Sequence, residues 1–306
     1  MAIKFAPIYK PGSTTPLFYK FGRVISESPW DGLEKVEMYD SITNSYIPKQ
    51  NMPIARYNGP AVRNGNYFYI FGGVNDDAAI TKIDRYDIAN NSWFNINNLL
   101  YAREAPATCI VDGIIYLSGG KDNNPRNTIE KYDIANNTIS LLSGTMTRSR
   151  WGHIMFHYNN KLCNIDYYLD VYDLSNNTCV DKGSLPSSNN FYGGVLYGDK
   201  IHIVKSDRIE IYNITNDSWN TVLHSYSFTA KISQGEVSGG KLYIVLANKI
   251  VRYNPANYTF TTIYTVSTTD YGFTVGLVSS ENDNLVPVIL YKFVDGSYTP
   301  VLGYWE

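Results

Sequence analysis

Short apolar runs punctuated by polar turns recur along the 306-residue chain, and the punctuation keeps phase. A Tyr followed by Asp or Asn opens a polar turn at Tyr39, Tyr86, Tyr132, Tyr172, Tyr212 and Tyr253, at intervals of 47, 46, 40, 40 and 41 residues. Seven positions after each Tyr stands an apolar or aromatic residue: Tyr46, Trp93, Ile139, Cys179, Trp219 and Phe260. Ahead of the Tyr lies an apolar run that ends in paired glycines in Tyr69-Ile-Phe-Gly-Gly73 and Tyr116-Leu-Ser-Gly-Gly120. Ahead of that run lies a stretch of small residues: Gly59-Pro-Ala-Val62, Ala105-Pro-Ala-Thr108, Gly152-His-Ile154 and Gly193-Gly-Val195. Short turn signals, Asn64-Gly65, Asp112-Gly113 and Gly198-Asp199, join the two. Each copy therefore predicts four antiparallel strands, a to d in chain order, and helical periodicity is nowhere convincing.

A unit of four strands is too thin to bury both of its faces alone, so the copies must stack face to face around a shared centre. Strand a is the crowded one, which gives a physical reason for its Gly and Ala. The glycine pair, the later Tyr-Asp, the Trp seven residues on, and Arg56, Arg103 and Arg150 just ahead of strand a together resemble the kelch-repeat family. The match is strong in the second and third copies, and the fourth to sixth lose the glycine pair. The Asn-, Tyr- and Ile-rich wording is also similar to kelch-like proteins of large DNA viruses. The resemblance implies an all-β fold, a β-propeller of four-stranded antiparallel blades, with residues 1–306 as one domain. Phe18-Tyr-Lys-Phe-Gly-Arg-Val24 aligns with Phe68-Tyr-Ile-Phe-Gly-Gly-Val74, so a first blade begins near Phe5. Three strands, Phe273–Val278, Leu285–Tyr291 and Tyr298–Trp305, follow the sixth copy. A mean spacing of about 43 residues favours seven blades, with six and a C-terminal hairpin as the alternative.

Composition narrows the function. Hydrophobic residues make up 44% and charged residues 18%, enough apolar material for a large core, and the 27 tyrosines suit half-buried strand faces. A formal net charge of −2 supplies no global field for a polyanion, which argues against nucleic acid and anionic membranes. The N-terminal residues lack the apolar stretch of a secretory signal, and no run reaches the length of a membrane span. Cys109, Cys163 and Cys179 cannot all pair, and strands b and d of one blade hold Cys163 and Cys179 too far apart for a disulfide. Three buried thiols point to a reducing, cytoplasmic setting, with an extracellular or virion-associated location as the alternative.

Recurrence separates scaffold from site. A Tyr-Asp needed once in every copy is a building rule, and so are the three equivalent arginines, which we expect to bridge blades. The sequons at Asn90, Asn136, Asn176, Asn213, Asn216 and Asn257 follow from turn chemistry, because most share one turn position. His153 and His157 share a strand face about 13 Å apart and cannot ligate one metal, so neither metal nor cofactor is expected. The informative irregularity is the connection between strands b and c, long in the first three copies and short in the fourth to sixth. Loops on a rigid scaffold carry binding residues. Together with the connections from strand d to the next strand a, they offer Trp30, Asp76, Asp77, Tyr101, Asn123, Arg126, Arg148 and Trp151 as candidate partner contacts. Aromatic and Arg residues among small polar ones match the composition of interface hot spots. Kelch relatives often act as substrate receptors for ubiquitin ligases, so the resemblance implies a protein-interaction role. The expected function is thus a monomeric, non-catalytic module that binds a protein or peptide. Carbohydrate or cell-surface receptor binding is one alternative, and a sugar-modifying enzyme of the epimerase or lyase type is another.

Overall fold

A computed structural model describes residues 7–9, 16–21, 34–40, 45–187, 191–226, 233–238, 241–246, 249–265, 288–294 and 297–303. The first sheet holds β1 (Pro7–Tyr9), β2 (Pro16–Phe21), β3 (Val36–Asp40) and β4 (Ser45–Lys49). The second holds β5 (Ala61–Asn64), β6 (Tyr67–Phe71), β9 (Lys82–Asp87) and β10 (Ser92–Asn98), with a small hairpin, β7 (Val74–Asn75) and β8 (Ala78–Ala79), set into its b–c connection. The third is β11 (Ala107–Val111), β12 (Ile114–Ser118), β13 (Arg126–Asp133) and β14 (Thr138–Arg150). The fourth is β15 (Ile154–Tyr158), β16 (Lys161–Ile165), β17 (Tyr168–Asp173) and β18 (Thr178–Ser184). The fifth is β19 (Phe191–Tyr197), β20 (Lys200–Lys205), β21 (Arg208–Asn213) and β22 (Ser218–Leu223). The sixth is β23 (Ser233–Ser238), β24 (Lys241–Leu246), β25 (Lys249–Asn254) and β26 (Thr259–Thr265), and a hairpin of β27 (Val288–Val294) and β28 (Ser297–Gly303) follows.

The count departs from seven complete blades. Between Ala61 and Thr265, five four-stranded sheets have every neighbouring pair antiparallel. The first sheet precedes them, and the last described strands form a two-stranded hairpin where a full sheet was expected. The strand expected over Phe273–Val278 lies outside the described residues, and the one expected from Leu285 begins at Val288. The chain divides into two compact units, one drawing on Met1–Lys20, Glu37–Ile47 and Pro186–Glu306, the other on Phe21–Val36 and Pro48–Leu185.

Strand register explains the seven-residue spacing. Tyr86 lies directly across from Trp93, Tyr132 from Ile139, Tyr172 from Cys179, Tyr212 from Trp219 and Tyr253 from Phe260. Where the partner is aromatic the rings pack at 4.9–5.0 Å between centroids. All five tyrosines are buried. Four of them donate the hydroxyl to the residue five positions on: Tyr86 to Asn91 (2.6 Å), Tyr132 to Asn137 (2.9 Å), Tyr172 to Asn177 (3.1 Å) and Tyr212 to Asp217 (2.7 Å). Those acceptors have left-handed backbones, φ 50–59°, which Asn and Asp tolerate. The sixth copy has Tyr258 at that position, also left-handed, and the Tyr253 hydroxyl turns instead to His202 Nδ1 at 2.8 Å. The residue after each Tyr closes the turn, as Asp87 does by accepting from the Asn90 N–H.

Within each unit, apolar side chains of neighbouring sheets interlock. Tyr69, Phe71 and Ile83 pack on Ile115, Leu117 and Tyr132, and Met155, Leu162 and Tyr172 on Ala107, Ile129 and Met146. In the other unit, Val195, Val204, Ile209 and Ile211 meet Leu242, Val251 and Tyr253. The three thiols are free, but only Cys163 is buried; Cys109 and Cys179 are half-buried, a correction to the expectation.

The arginines tie adjacent sheets together. Arg103 is fully buried; its carbonyl accepts from the Gly73 N–H of the second sheet at 2.9 Å, while its guanidinium reaches into the third. There it bonds Glu130 at 2.8 Å, Thr128 Oγ1 at 2.6 Å and the Gly119 carbonyl. Arg56 pairs likewise with Asp84, and Arg150 with Asp170 at 3.0 Å. The first glycine of each pair is set by this contact. A Cβ on Gly72 would stand 2.5 Å from the Arg103 carbonyl oxygen, and one on Gly119 would collide with that of Arg150. Both glycines also have left-handed φ, 52° and 61°.

Candidate functional site

The arginine clamps decide what reaches the surface. In each of the second to fourth sheets the clamped Arg is followed by a residue at the end where the d–a and b–c connections emerge: Tyr57, Glu104 and Trp151. Glu104 exchanges two backbone hydrogen bonds with Lys121, at 2.6 and 3.0 Å, and their side chains pair at 3.3 Å. The Lys121 ammonium then lies 3.9 Å from the centroid of the Trp151 ring, which is 47% exposed. On the other flank of the same loop, the Arg126 guanidinium stands 4.5 Å from the Tyr101 ring centroid and pairs with Asp122. The Asn124 N–H and then Arg126 hold the Asp122 carboxyl below the usual carboxylate range. The b–c loop of the third sheet is thus held between an aromatic ring from the connection before it and one from the connection after it. Each contact is a cation–π pair of the kind worth about 0.5–1 kcal/mol at exposed sites.

The expected residues are therefore partly assembled. Tyr101, Asn123, Arg126 and Trp151 converge on this loop, Asn123 at its exposed tip. Arg148 is elsewhere, near the end of β14, where it pairs with Asp181 at 2.6 Å and lies 4.1 Å from the Tyr168 ring centroid. Asp76 and Asp77 form the exposed tip of the β7–β8 hairpin with φ of 46° and 61°. Burial and then the charges of Glu104 and Asp77 raise the Tyr57 pKa. Trp30 lies outside the described residues. The b–c connections have the expected lengths in the second to fifth sheets: 72–81 and 119–125 are long, 166–167 and 206–207 are tight turns.

Two exposed tyrosines at the tight turn of the fourth sheet, Tyr167 and Tyr168, were not among the expected contacts, nor was Leu100. The signal for the two tyrosines was a pair of adjacent aromatics at a tight turn, where polar residues are the rule. Three histidines are committed to the scaffold: His153 to Ser118 (2.9 Å), His202 to Tyr253 and His224 to the Lys205 carbonyl (3.2 Å). Among the described residues no three of His, Cys, Asp and Glu form a group that could hold a metal, and no helix is long and apolar enough to cross a membrane.

A family model described as the kelch motif matches residues 55–100 and 102–138, the copies whose glycine pair is intact. Over 137 residues the chain is 31% identical to Kelch-like protein 24 of Rattus norvegicus, covering 42% of this chain and 21% of that protein. It is 21% identical over 204 residues to Kelch-like protein 38 of the same organism, covering 61% of the chain and 35% of the relative. An F-box/kelch-repeat protein of Arabidopsis thaliana is 28% identical over 164 residues, 49% of this chain and 39% of that one. The chain thus spans about a fifth to two fifths of the length of these relatives. A solved structure, that of YjhT, has the same fold at a TM-score of 0.57 and 15% identity, covering 81% of this chain and 98% of that one. With the repeat, its register and these matches in agreement, the chain carries the kelch motif and has the fold of a kelch-type β-propeller.

Proposed function

We propose that the chain is a non-catalytic, protein-binding module, monomeric and cytoplasmic, that presents the connection face of its second, third and fourth sheets to a protein or peptide. One observation carries this reading. Aromatic rings exposed on that face are held in place by cations beneath or beside them: Tyr101 by Arg126, Trp151 by Lys121 and Tyr168 by Arg148. A ring fixed before binding loses little rotamer entropy on binding, which is the property of an interface anchor. Lys121 also occupies one face of the Trp151 ring, which leaves less of it for a sugar to stack on. The commitment of three histidines to scaffold bonds supports the absence of catalysis in this reading.

The test is quantitative capture with immobilised wild-type chain and with the Tyr101→Ala/Trp151→Ala variant, beside a glycan array. A set of proteins retained by the wild type and lost by the variant is expected. Identical protein sets from both, or glycan binding with no protein retained, would refute the reading.

A further inference from the structure

Charge on the connection face is unevenly matched. Lys121 is paired with Glu104, Arg126 with Asp122 and Arg148 with Asp181. Asp76 and Asp77, exposed at the hairpin tip, have no ion-pair partner among the described residues. The hairpin adjoins the aromatic cluster: Tyr57 exchanges two backbone hydrogen bonds with Val74 at the base of the hairpin, the neighbouring Asn58 donates to the Glu104 carboxylate at 2.8 Å, and Glu104 is bonded to Lys121 below Trp151.

Resting on the reading of this face as the partner-binding surface, we infer that its occupant is a basic segment: an extended stretch of a protein carrying Arg or Lys. Its cationic heads reach Asp76 and Asp77, and its methylene stems lie across the exposed rings of Trp151 and Tyr101. An acidic segment would meet two unshielded carboxylates and could gain a cation only by breaking an existing ion pair. A neutral segment would leave the two carboxylates desolvated and unpaired. A guanidinium or ammonium completes the charge balance, and its stem is apolar enough to pack on an aromatic ring.

The experiment pans short random peptides displayed on phage against the full chain and measures synthetic copies of the winners by fluorescence anisotropy. Selected peptides are expected to be rich in Arg and Lys. Asp76→Asn/Asp77→Asn should weaken them about tenfold. Asn keeps the left-handed turn, so this variant retains its fold. Raising salt from about 50 to about 300 mM should weaken the wild type more than that variant. Binders that ignore Asp76→Asn/Asp77→Asn but are lost on Trp151→Ala overturn the basic occupant while the face stands. Binders that ignore Trp151→Ala and Tyr101→Ala overturn the face and this inference with it, as does a library that yields no binder.

Discussion

Arg103→Met removes the best-connected side chain of the scaffold and keeps its volume. The guanidinium it deletes bonds the Glu130 carboxylate at 2.8 Å, Thr128 Oγ1 at 2.6 Å, the Thr128 carbonyl at 3.2 Å and the Gly119 carbonyl. Arg103 and Glu130 are both fully buried. After the change, Glu130 keeps only the N–H groups of Leu100 (2.8 Å) and Tyr101 (3.3 Å), and its negative charge is left without a cation. Breaking a buried pair from one side costs about 3–5 kcal/mol. The orphaned Gly119 carbonyl adds about 1 kcal/mol or more. Against a total of about 5–15 kcal/mol for a folded domain, Arg103→Met should cost about 4 kcal/mol, a large share of that stability. Glu130→Leu alone should cost a similar amount, because it strands the guanidinium and two N–H groups. The double variant Arg103→Met/Glu130→Leu strands no charge and should cost clearly less than the two singles together, a coupling of about 2 kcal/mol or more. Urea unfolding followed by tryptophan fluorescence reads all four midpoints, with the slope checked for constancy. A single-variant cost below about 1 kcal/mol, or additive costs, would refute the view of this pair as a clamp.

Two further outcomes follow from the same contacts. Burial holds the His202 pKa down to about 4, while the unfolded chain titrates near 6.5. The stability this supplies is whole above pH 6.5 and is lost as pH falls toward 4, because only the unfolded state takes up the proton there. The loss amounts to at most about 3 kcal/mol. His202→Gln should flatten that limb of the stability–pH curve relative to wild type, and parallel curves would count against it. Platform and contact residues should also separate: Tyr86→Ala, in the core, should lower stability by about 3–5 kcal/mol, whereas the exposed Trp151→Ala should stay within about 1 kcal/mol of wild type by calorimetry. Equal losses would defeat the division.

Much of the fold was legible because the repeat carries its own register. A seven-residue interval from Tyr to Trp is the distance between directly opposed positions across the c–d turn, so sequence spacing and strand pairing are one fact. The acids at the clamp position were equally regular, two residues before the Tyr at Asp84, Glu130, Asp170 and Glu210, yet they were not singled out. Strand alternation puts them on the same face as a buried Tyr, which is the signal. An acid in a strand reads as an ordinary solvent-facing residue until its partner, roughly 20–30 residues away, is known. Loop lengths were legible in the sequence, but which cation meets which ring depends on how the d–a connection crosses the b–c loop. That crossing is set by the arginine clamp, a tertiary feature that loop composition does not encode.

The loss of the glycine pair shows how far a motif and its physics can diverge. Aligned on the strand pairing opposite Tyr212, Lys205 occupies the place of Gly72 and Gly119. Read as a pattern, the fifth copy has decayed, and Lys205→Gly would repair it. In the structure, Lys205 is fully buried, donates to the Ser187 carbonyl at 2.9 Å and stands 3.7 Å from Glu210, itself fully buried and at the clamp-acid position. Desolvation lowers the Lys205 pKa and Glu210 works against that fall, as expected of a buried pair. The cation that an arginine brings from the connection in the second to fourth sheets is here supplied from the end of strand b. Lys205→Gly therefore leaves Glu210 buried without the cation that faces it, at a cost of about 3 kcal/mol or more. Glu210→Gln in the same background should recover part of that loss by removing the stranded charge. A Lys205→Gly protein as stable as wild type in urea would mean that the motif, and not the ion pair, governs this position.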